Sequence, residues 1–284
     1  MGRISRTLTL AKASWEVLKA DKELILLPIM SLIATIVIAA SFLAPILAGG
    51  GAVGLEEGRG DPITYVLMFA AYVVLFFVTI FFNAALVHAA NERLDGGDPT
   101  VGSALRGAML RVGRILPWAI VSATVSVVLQ MIEERGGAIG RIAAAIGGLA
   151  WTLVTFLVVP ILVIEGVGVK DAITRSAGLF KKTWGENVAA QVGFGLLGFL
   201  VALPAILVAG AAFALGSAVG FVILALAVLW ILGSSMVISA LNGVFQTALY
   251  RYAAGTGSTG AFDAGELRAA FAPKGGTGMR GFAG

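Results

Sequence analysis

The chain has 284 residues, of which 58% are hydrophobic and only 13% are charged, and its mean hydropathy is +0.96. A soluble domain of ordinary composition carries about 25% charged residues, so this chain has too little polar surface to cover a globule. The composition excludes a water-soluble enzyme, a disordered tail and a nucleic-acid-binding module. The apolar residues fall in long uninterrupted runs, which is typical of a membrane protein.

The chain contains no cysteine and a single histidine, His88. It therefore has no disulfide or thiolate site, and a metal centre built from histidines is not expected. The first apolar run, over residues 24–48, is longer than the roughly 7–15 residues of a signal-peptide core. A basic amphipathic segment precedes this run, so we expect a retained membrane span.

Charge-free apolar runs define the predicted spans, because about 20 apolar residues are needed to cross the hydrocarbon core. The last run, over residues 187–250, is long enough for two helices joined by small residues near 210–220. We therefore predict an all-α fold, a polytopic transmembrane helical bundle with six spans, in a membrane domain that covers residues 1–252. The predicted spans are about 24–48, 62–90, 115–132, 142–165, 187–211 and 217–250.

A basic amphipathic segment precedes each pair of spans, and we predict interfacial helices at about 4–22, 100–114 and 170–184. Such helices place apolar residues in the acyl boundary and basic residues towards anionic headgroups. The three helix-plus-hairpin units suggest an internal threefold duplication. A Gly-rich cytoplasmic tail follows over residues 253–284, with a short helix predicted at about 263–271. The apolar face expected for the first helix is Ile4, Leu8, Ala11, Trp15 and Leu18.

Basic residues are distributed asymmetrically along the chain. Seventeen of the twenty Lys and Arg residues lie before the first predicted span, between spans two and three, between spans four and five, or after span six. By the positive-inside rule, these four segments face the cytoplasm. We therefore predict a multi-pass protein of the cell (inner) membrane with both termini cytoplasmic.

Four stretches of the sequence resemble an uncharacterised prokaryotic family of polytopic integral membrane proteins, a domain of unknown function. They are residues 14–24, 83–91, 176–185 and 248–253. The resemblance extends to about Phe271 and implies a helical membrane protein, but it supplies no activity, substrate or catalytic residue. The layout is more distantly similar to the membrane domains attached to some glycerophosphodiester phosphodiesterases, which implies proximity to lipid.

Glycine motifs in the spans indicate helix packing. Residues 193–198 form a G-x-G-x-x-G pattern, but it lies inside a span and no acidic residue follows at the spacing that dinucleotide binding requires. Gly136, Gly140, Ala144 and Gly148 recur every four residues, which allows close helix approach within the chain or at a homo-oligomer seam. No catalytic motif is present, so we predict no catalytic residue, no cofactor, no metal site and a non-enzymatic protein.

No Asp, Glu, Lys or Arg occupies the centre of a predicted span, which argues against a proton relay or a voltage sensor. The polar residues of the spans either join helices by hydrogen bonds or line a polar cavity. Pro160 and Pro204 lie at membrane depth, where proline marks either a simple kink or a discontinuous transporter helix. The candidate polar intramembrane residues are Asn83, His88, Gln191, Asn242 and Gln246, together with Gln130.

Two functions remain open from the sequence. In the first, a non-enzymatic protein engages lipids or partner proteins through basic helices at the cytoplasmic face. In the second, the protein is a transporter or permease for a small neutral or lipidic substrate, which requires a polar cavity at mid-depth. The expected partners are membrane lipids and either a second copy of the chain or another membrane protein, but no nucleic acid. The candidate contacts to anionic lipid are Arg106, Arg111, Arg114, Arg175, Lys181 and Lys182.

Overall fold

A computed structural model describes residues 3–48, 62–184, 191–215 and 218–255. All regular structure in these ranges is helical, so the all-α prediction is confirmed. A short 3-10 helix, Lys22–Ile25, joins the first two α-helices. The α-helices are α1 (Arg3–Ala20), α2 (Leu26–Ala48), α3 (Pro62–Leu94), α4 (Val101–Met109), α5 (Val112–Arg135), α6 (Gly137–Thr155), α7 (Val158–Ile164), α8 (Val169–Trp184), α9 (Gln191–Leu215) and α10 (Ala218–Ala254).

Several of these helices are long and apolar enough to cross a membrane, which makes the chain a multi-pass membrane protein. In the described residues five segments meet this condition, and α9 contributes a shorter apolar helix, Gly198–Phe213. The five segments are Glu23–Ala44, Pro62–Leu94, Val112–Arg135, Gly137–Ile164 and Val219–Ala254.

The long helices pack as antiparallel neighbours around α3. Helix α2 packs along α3, α5 along α6, and α9 along α10. Helix α3 also contacts α5, α7 and α10, which places it at the centre of the bundle. Its buried face carries Ala84, Ala85 and Ala89, and these small side chains allow the neighbouring helices to approach closely. The large side chains of Phe245 and Tyr250 on α10 fill the same core.

The shorter helices α1, α4 and α8 pack against the long ones. Helix α1 contacts α10, α4 contacts α3, and α8 contacts α6 and α7. The sequence placed Trp15 on the apolar face of α1, but its side chain is 39% exposed. Leu18 of the expected face is buried, together with Ala13 and Val17, and α1 packs against α10. Three side chains of the expected face lie outside the described residues, namely Ile4, Leu8 and Ala11.

The boundary expected at 114/115, between a short helix over residues 100–114 and a span over 115–132, lies a few residues earlier in the structure. Helix α4 ends at Met109 and α5 begins at Val112. The break allows α4 to pack on α3 while α5 pairs with α6. As a result, Arg114 lies in the first turn of a long apolar helix rather than on the short basic one.

The segment expected to form the fourth span is helical but discontinuous. Helix α6 ends at Thr155 and α7 begins at Val158. Pro160 lies in the first turn of α7, where it has no N–H to donate to the preceding turn. The buried backbone N–H of Leu157 donates to Oγ of Ser176 on α8 over 3.2 Å, so the neighbouring helix satisfies a group that the break releases.

The stripe of small residues at the start of α6 packs within the chain. A Cβ atom added at Gly140 would lie 2.3 Å from the backbone oxygen of Ile132 on α5. One added at Gly148 would lie 3.8 Å from Leu129, also on α5. Of these two positions, only Gly140 leaves no room for a side chain, and the absence of a Cβ there allows α5 and α6 to form a tight hairpin. The distance at Gly148 is an ordinary van der Waals contact.

Two glycine and proline features of the sequence fall in α9. The pattern at 193–198 and Pro204 both lie inside this continuous helix. Pro204 therefore causes no break, in contrast to the region of Pro160. The tail beyond Gly255, with the short helix predicted at about 263–271, lies outside the described residues.

Candidate functional site

A cleft of about 510 Å³ lies between α3, α5 and α6, at the level of their long apolar segments. Small-molecule pockets in proteins typically have volumes of roughly 300–1,000 Å³. None of the fifteen residues that line the cleft is charged. Helices α7 and α10 complete its wall with Val159 and Gln246. Its serine and threonine side chains are Thr79, Ser122, Ser126, Thr152 and Thr155.

Two of the candidate polar residues meet in this cleft, namely Asn83 from α3 and Gln246 from α10. The Oδ1 atom of Asn83 is buried and has no hydrogen-bond partner among the described residues. An unsatisfied buried acceptor costs about 1–3 kcal/mol. The side-chain oxygen of Asn83 is therefore an acceptor that the described residues leave unused.

The threonines of the cleft present acceptors rather than donors. The hydroxyls of Thr79, Thr152 and Thr155 donate to the carbonyl oxygen four residues earlier in their own helices, over 3.0, 2.8 and 2.7 Å. A hydroxyl has one hydrogen and two lone pairs, so these bonds leave only lone pairs directed elsewhere. These three hydroxyls therefore offer only lone pairs to the cleft, whereas the amide of Gln246, the two indoles of the lining and the Tyr72 hydroxyl also carry hydrogens that can be donated.

Aromatic rings form the apolar part of the cleft wall. The indoles of Trp118 on α5 and Trp151 on α6 are stacked, with ring centroids 5.8 Å apart and an interplanar angle of 27°. On α3, the rings of Tyr72 and Phe76 lie 4.9 Å apart. Phe156, which lies in the break between α6 and α7, also lines the cleft. The discontinuity is therefore part of the site.

The cleft opens sideways from the bundle. Thr79 and Thr152, on opposite walls, are both exposed. Further along the same helices, Met68 and Leu149 expose large apolar side chains at 43% and 53%. An apolar rim of this kind is suited to hydrocarbon rather than to water. A molecule in the bilayer can therefore reach the cleft laterally.

The other candidate polar residues lie elsewhere. His88 borders a second pocket of about 600 Å³ between α3 and α4, lined also by Glu92, Asp95 and Arg106. A Cβ atom at Gly107 of α4 would lie 2.2 Å from Cδ2 of His88. Helix α4 can therefore cross the imidazole of His88 only because residue 107 is a glycine. Two others line neither pocket: Gln130 is exposed and donates to Glu134, and Asn242 is half-buried on α10. The side chain of Gln191 lies outside the described residues.

A buried arginine joins the ends of α3 and α10 beside this second pocket. Arg251 donates to Oδ1 of Asn91 over 2.9 Å and to Oδ1 of Asp95 over 2.5 Å. The hydrogen bond from Arg251 lowers the pKa of the Asp95 carboxyl. Nearby, Nε of Arg93 lies 3.0 Å from Oδ2 of Asp21, whose pKa is raised by burial. Sequence reasoning missed these pairs, because they join residues far apart in the chain.

The basic residues expected to contact lipid divide into two groups. In the first, Arg111 donates to the backbone oxygen of Val163 over 3.1 Å, and Arg175 pairs with Glu165 at 2.5 Å. The same Glu165 oxygen accepts a hydrogen bond from the Tyr250 hydroxyl over 2.6 Å. These two arginines therefore connect helices of the bundle.

Among the residues of the second group with described side chains, none makes such a contact between helices. Arg106 and Lys181 are exposed, and Arg114 is partly buried. The side chain of Lys182 lies outside the described residues. Among the described residues, no group of three or more His, Cys, Asp or Glu side chains is arranged to hold a metal ion.

The comparisons with known proteins place the cleft within a region that other proteins share. Residues 62–261 match a family of unknown function, DUF6159. This region runs from α3 to the end of α10, and it includes both pockets and the Arg251 contacts. The search of curated proteins gave no match.

Proposed function

The chain belongs to the family of unknown function DUF6159, and from this premise we propose that it is a non-enzymatic transporter or permease for a small neutral or lipidic molecule. The uncharged cleft with the buried Asn83 acceptor, which no described residue satisfies, is the observation that carries the proposal. The break between α6 and α7 supports it, because binding sites of transporters are commonly built at discontinuous helices.

The proposed topology has six spans, with α9 as the fifth of them and both termini at the cytoplasmic face of the cell membrane. Helix α9 has 25 residues, which exceeds the roughly 20 residues needed to cross the hydrocarbon core. The positive-inside rule then places α1, α4 and α8 at the cytoplasmic interface.

Photo-crosslinking tests whether the cleft holds a specific molecule. A photoreactive amino acid replaces Thr155, which lines the cleft, or Ser235, which is exposed on α10. After illumination in native membranes, we expect one dominant adduct mass at Thr155 and a mixture of bulk phospholipids at Ser235. The same mixture at both positions would show that the cleft has no selective occupant.

Thiol labelling tests the transport step, because a transported molecule must reach an aqueous phase. The chain lacks cysteine, so Thr155→Cys and Ser235→Cys each introduce a single thiol. A membrane-impermeant maleimide should modify Thr155→Cys from at least one side of the membrane and leave Ser235→Cys intact. Protection of both thiols from both sides would leave a binding protein without a transport path.

A second function, binding of anionic lipid at the cytoplasmic face, is favoured by the exposed basic residues Arg106 and Lys181. Each basic side chain near an anionic surface contributes about 1 kcal/mol, and salt screens this attraction. We expect Arg106→Gln with Lys181→Gln to lower the anionic phospholipid retained by the full chain in mixed micelles. The control is Arg135→Gln with Arg141→Gln, two exposed arginines expected on the opposite side. Equal retention by both double variants would refute this function.

A further inference from the structure

The hydrogen-bonding inventory of the cleft restricts what can bind there. The hydrogens of Thr79, Thr152 and Thr155 are engaged within their own helices. Oδ1 of Asn83 accepts nothing from the described residues although it is buried. A bound molecule that brings an O–H or N–H group can therefore satisfy the buried Asn83 acceptor, which nothing in the described residues does. The Ser122 hydroxyl, which also lines the cleft, can donate in return.

Charge and access restrict the occupant further. The cleft contains no charged side chain, and an ion placed there would be desolvated without a counter-ion. The opening beside Thr79 and Thr152 faces the zone of exposed apolar side chains. The occupant is therefore neutral and arrives from the bilayer. A purely hydrocarbon molecule would leave the Asn83 acceptor unsatisfied.

We infer that the cleft binds a neutral lipid with a free hydroxyl group, such as a diacylglycerol or a long-chain alcohol. The lipid hydroxyl donates to Oδ1 of Asn83, and the hydrocarbon lies against the indoles of Trp118 and Trp151 and leaves through the lateral opening between α3 and α6. This inference rests on the proposed function, because it names the substrate class of the same cleft.

Tryptophan fluorescence can report on occupancy of the cleft. The chain has five tryptophans, and a reporter variant with Trp15, Trp184 and Trp230 replaced by Phe keeps only the stacked pair of the cleft. The full chain is reconstituted in phosphatidylcholine nanodiscs that contain a diacylglycerol with brominated acyl chains, since bromine quenches indole fluorescence on contact. The comparison lipid is the same molecule with its hydroxyl blocked as an acetate.

A reference variant keeps only Trp230, which is 60% exposed on the outer surface of α10. It reports quenching by lipids that surround the protein without a site. At Trp230 we expect the hydroxyl lipid and its acetate to quench alike. At the cleft pair, we expect the hydroxyl lipid to quench at a mole fraction lower by roughly tenfold, the effect of one hydrogen bond to a buried acceptor. In the reporter variant, Asn83→Leu should abolish this difference.

Each alternative result has a distinct meaning. If both lipids quench the cleft pair equally, and more strongly than they quench Trp230, the cleft binds lipid but does not recognise the hydroxyl. In that case the inference fails and the proposed function stands. If neither lipid quenches the cleft pair more than Trp230, lipid binding in the cleft fails, and the lipidic form of the proposed function fails with it. If Asn83→Leu retains the preference for the hydroxyl lipid, the role of Asn83 is refuted. The comparison of the two lipids on the reporter variant does not depend on how well Asn83→Leu folds.

Discussion

Replacing Arg251 with Met should destabilise the protein more than replacing its acidic partner. The side chain of Arg251 is 6% exposed, whereas that of Asp95 is 56% exposed. Arg251 donates to both Asn91 and Asp95. Loss of Arg251 therefore removes these bonds at once, whereas Asp95→Asn leaves an oxygen that can still accept from Arg251.

Typical energies allow the difference to be estimated. A hydrogen bond to a charged group contributes about 1.5–3 kcal/mol, and an exposed ion pair contributes about 0–1 kcal/mol. Because Asp95 is largely solvated, we expect a loss of about 2–3 kcal/mol for Arg251→Met and about 0.5–1 kcal/mol for Asp95→Asn. The double variant should lose no more than Arg251→Met alone, because Asp95 has then already lost its partner.

The free energy of unfolding can be measured by titration with SDS in mixed micelles, with helicity followed by circular dichroism. The hydrogen bond from Arg251 lowers the pKa of Asp95. The contribution of the Arg251–Asp95 pair to the free energy of unfolding is therefore fully present above the pKa of an unfolded Asp, about 3.9. It is lost as the pH falls through the lower pKa of Asp95 in the folded protein. The difference between the wild type and Asp95→Asn should disappear in strong acid. Equal losses in the two single variants, or additive losses in the double variant, would refute this reasoning.

Three further predictions concern packing and buried hydrogen bonds, and the same titration measures them. Gly140→Ala places a methyl group 2.3 Å from a backbone oxygen of α5, and it should lower the free energy of unfolding by about 1–3 kcal/mol. Its control is Gly233→Ala, where the added methyl group has nothing within 4 Å. This control should raise the free energy of unfolding by up to about 1 kcal/mol. A neutral Gly140→Ala would contradict the tight hairpin. Ser176→Ala leaves the N–H between α6 and α7 unsatisfied and should cost about 1–3 kcal/mol. Its control, Ser235→Ala, loses only a bond within its own helix and should change stability by less than about 0.5 kcal/mol. Tyr250→Phe removes a 2.6 Å bond to a carboxylate and should cost about 1.5 kcal/mol or more, so unchanged stability would exclude a role for that bond.

The sequence was sufficient for the helical class and the multi-pass character, because both follow from long charge-free runs. It placed the end of the second short helix at 114, a few residues beyond the turn before Val112, where α4 packs against α3. Near Pro160 it left open whether the helix is only kinked or is broken. The break before Val158 has its released N–H satisfied by Ser176, nineteen positions away. Hydropathy is a local property, whereas these contacts are made only in the folded chain.

Prediction of the site was partial for a similar reason. Asn83 and Gln246 stood out as polar residues in apolar runs, and both line the cleft. The serines and threonines of the cleft did not stand out in the sequence, because hydroxyl side chains that bond to their own helix are common in membrane helices. The four-residue spacing of polar and aromatic residues could have indicated this wall of the cleft. One face of α5 carries an aromatic ring and two hydroxyls in line, at Trp118, Ser122 and Ser126.

The close approach of α4 to His88 means that the side chains at positions 88 and 107 compete for the same space. A Cβ atom at Gly107 would overlap the imidazole, with its nearest atom 2.2 Å away. A larger residue at 107 can therefore be accommodated only if position 88 becomes smaller or α4 lifts from α3. Among relatives that keep this helix crossing, the sizes of the residues at positions 88 and 107 should consequently vary in opposite directions. Paired exchanges at these positions should preserve stability where either exchange alone does not.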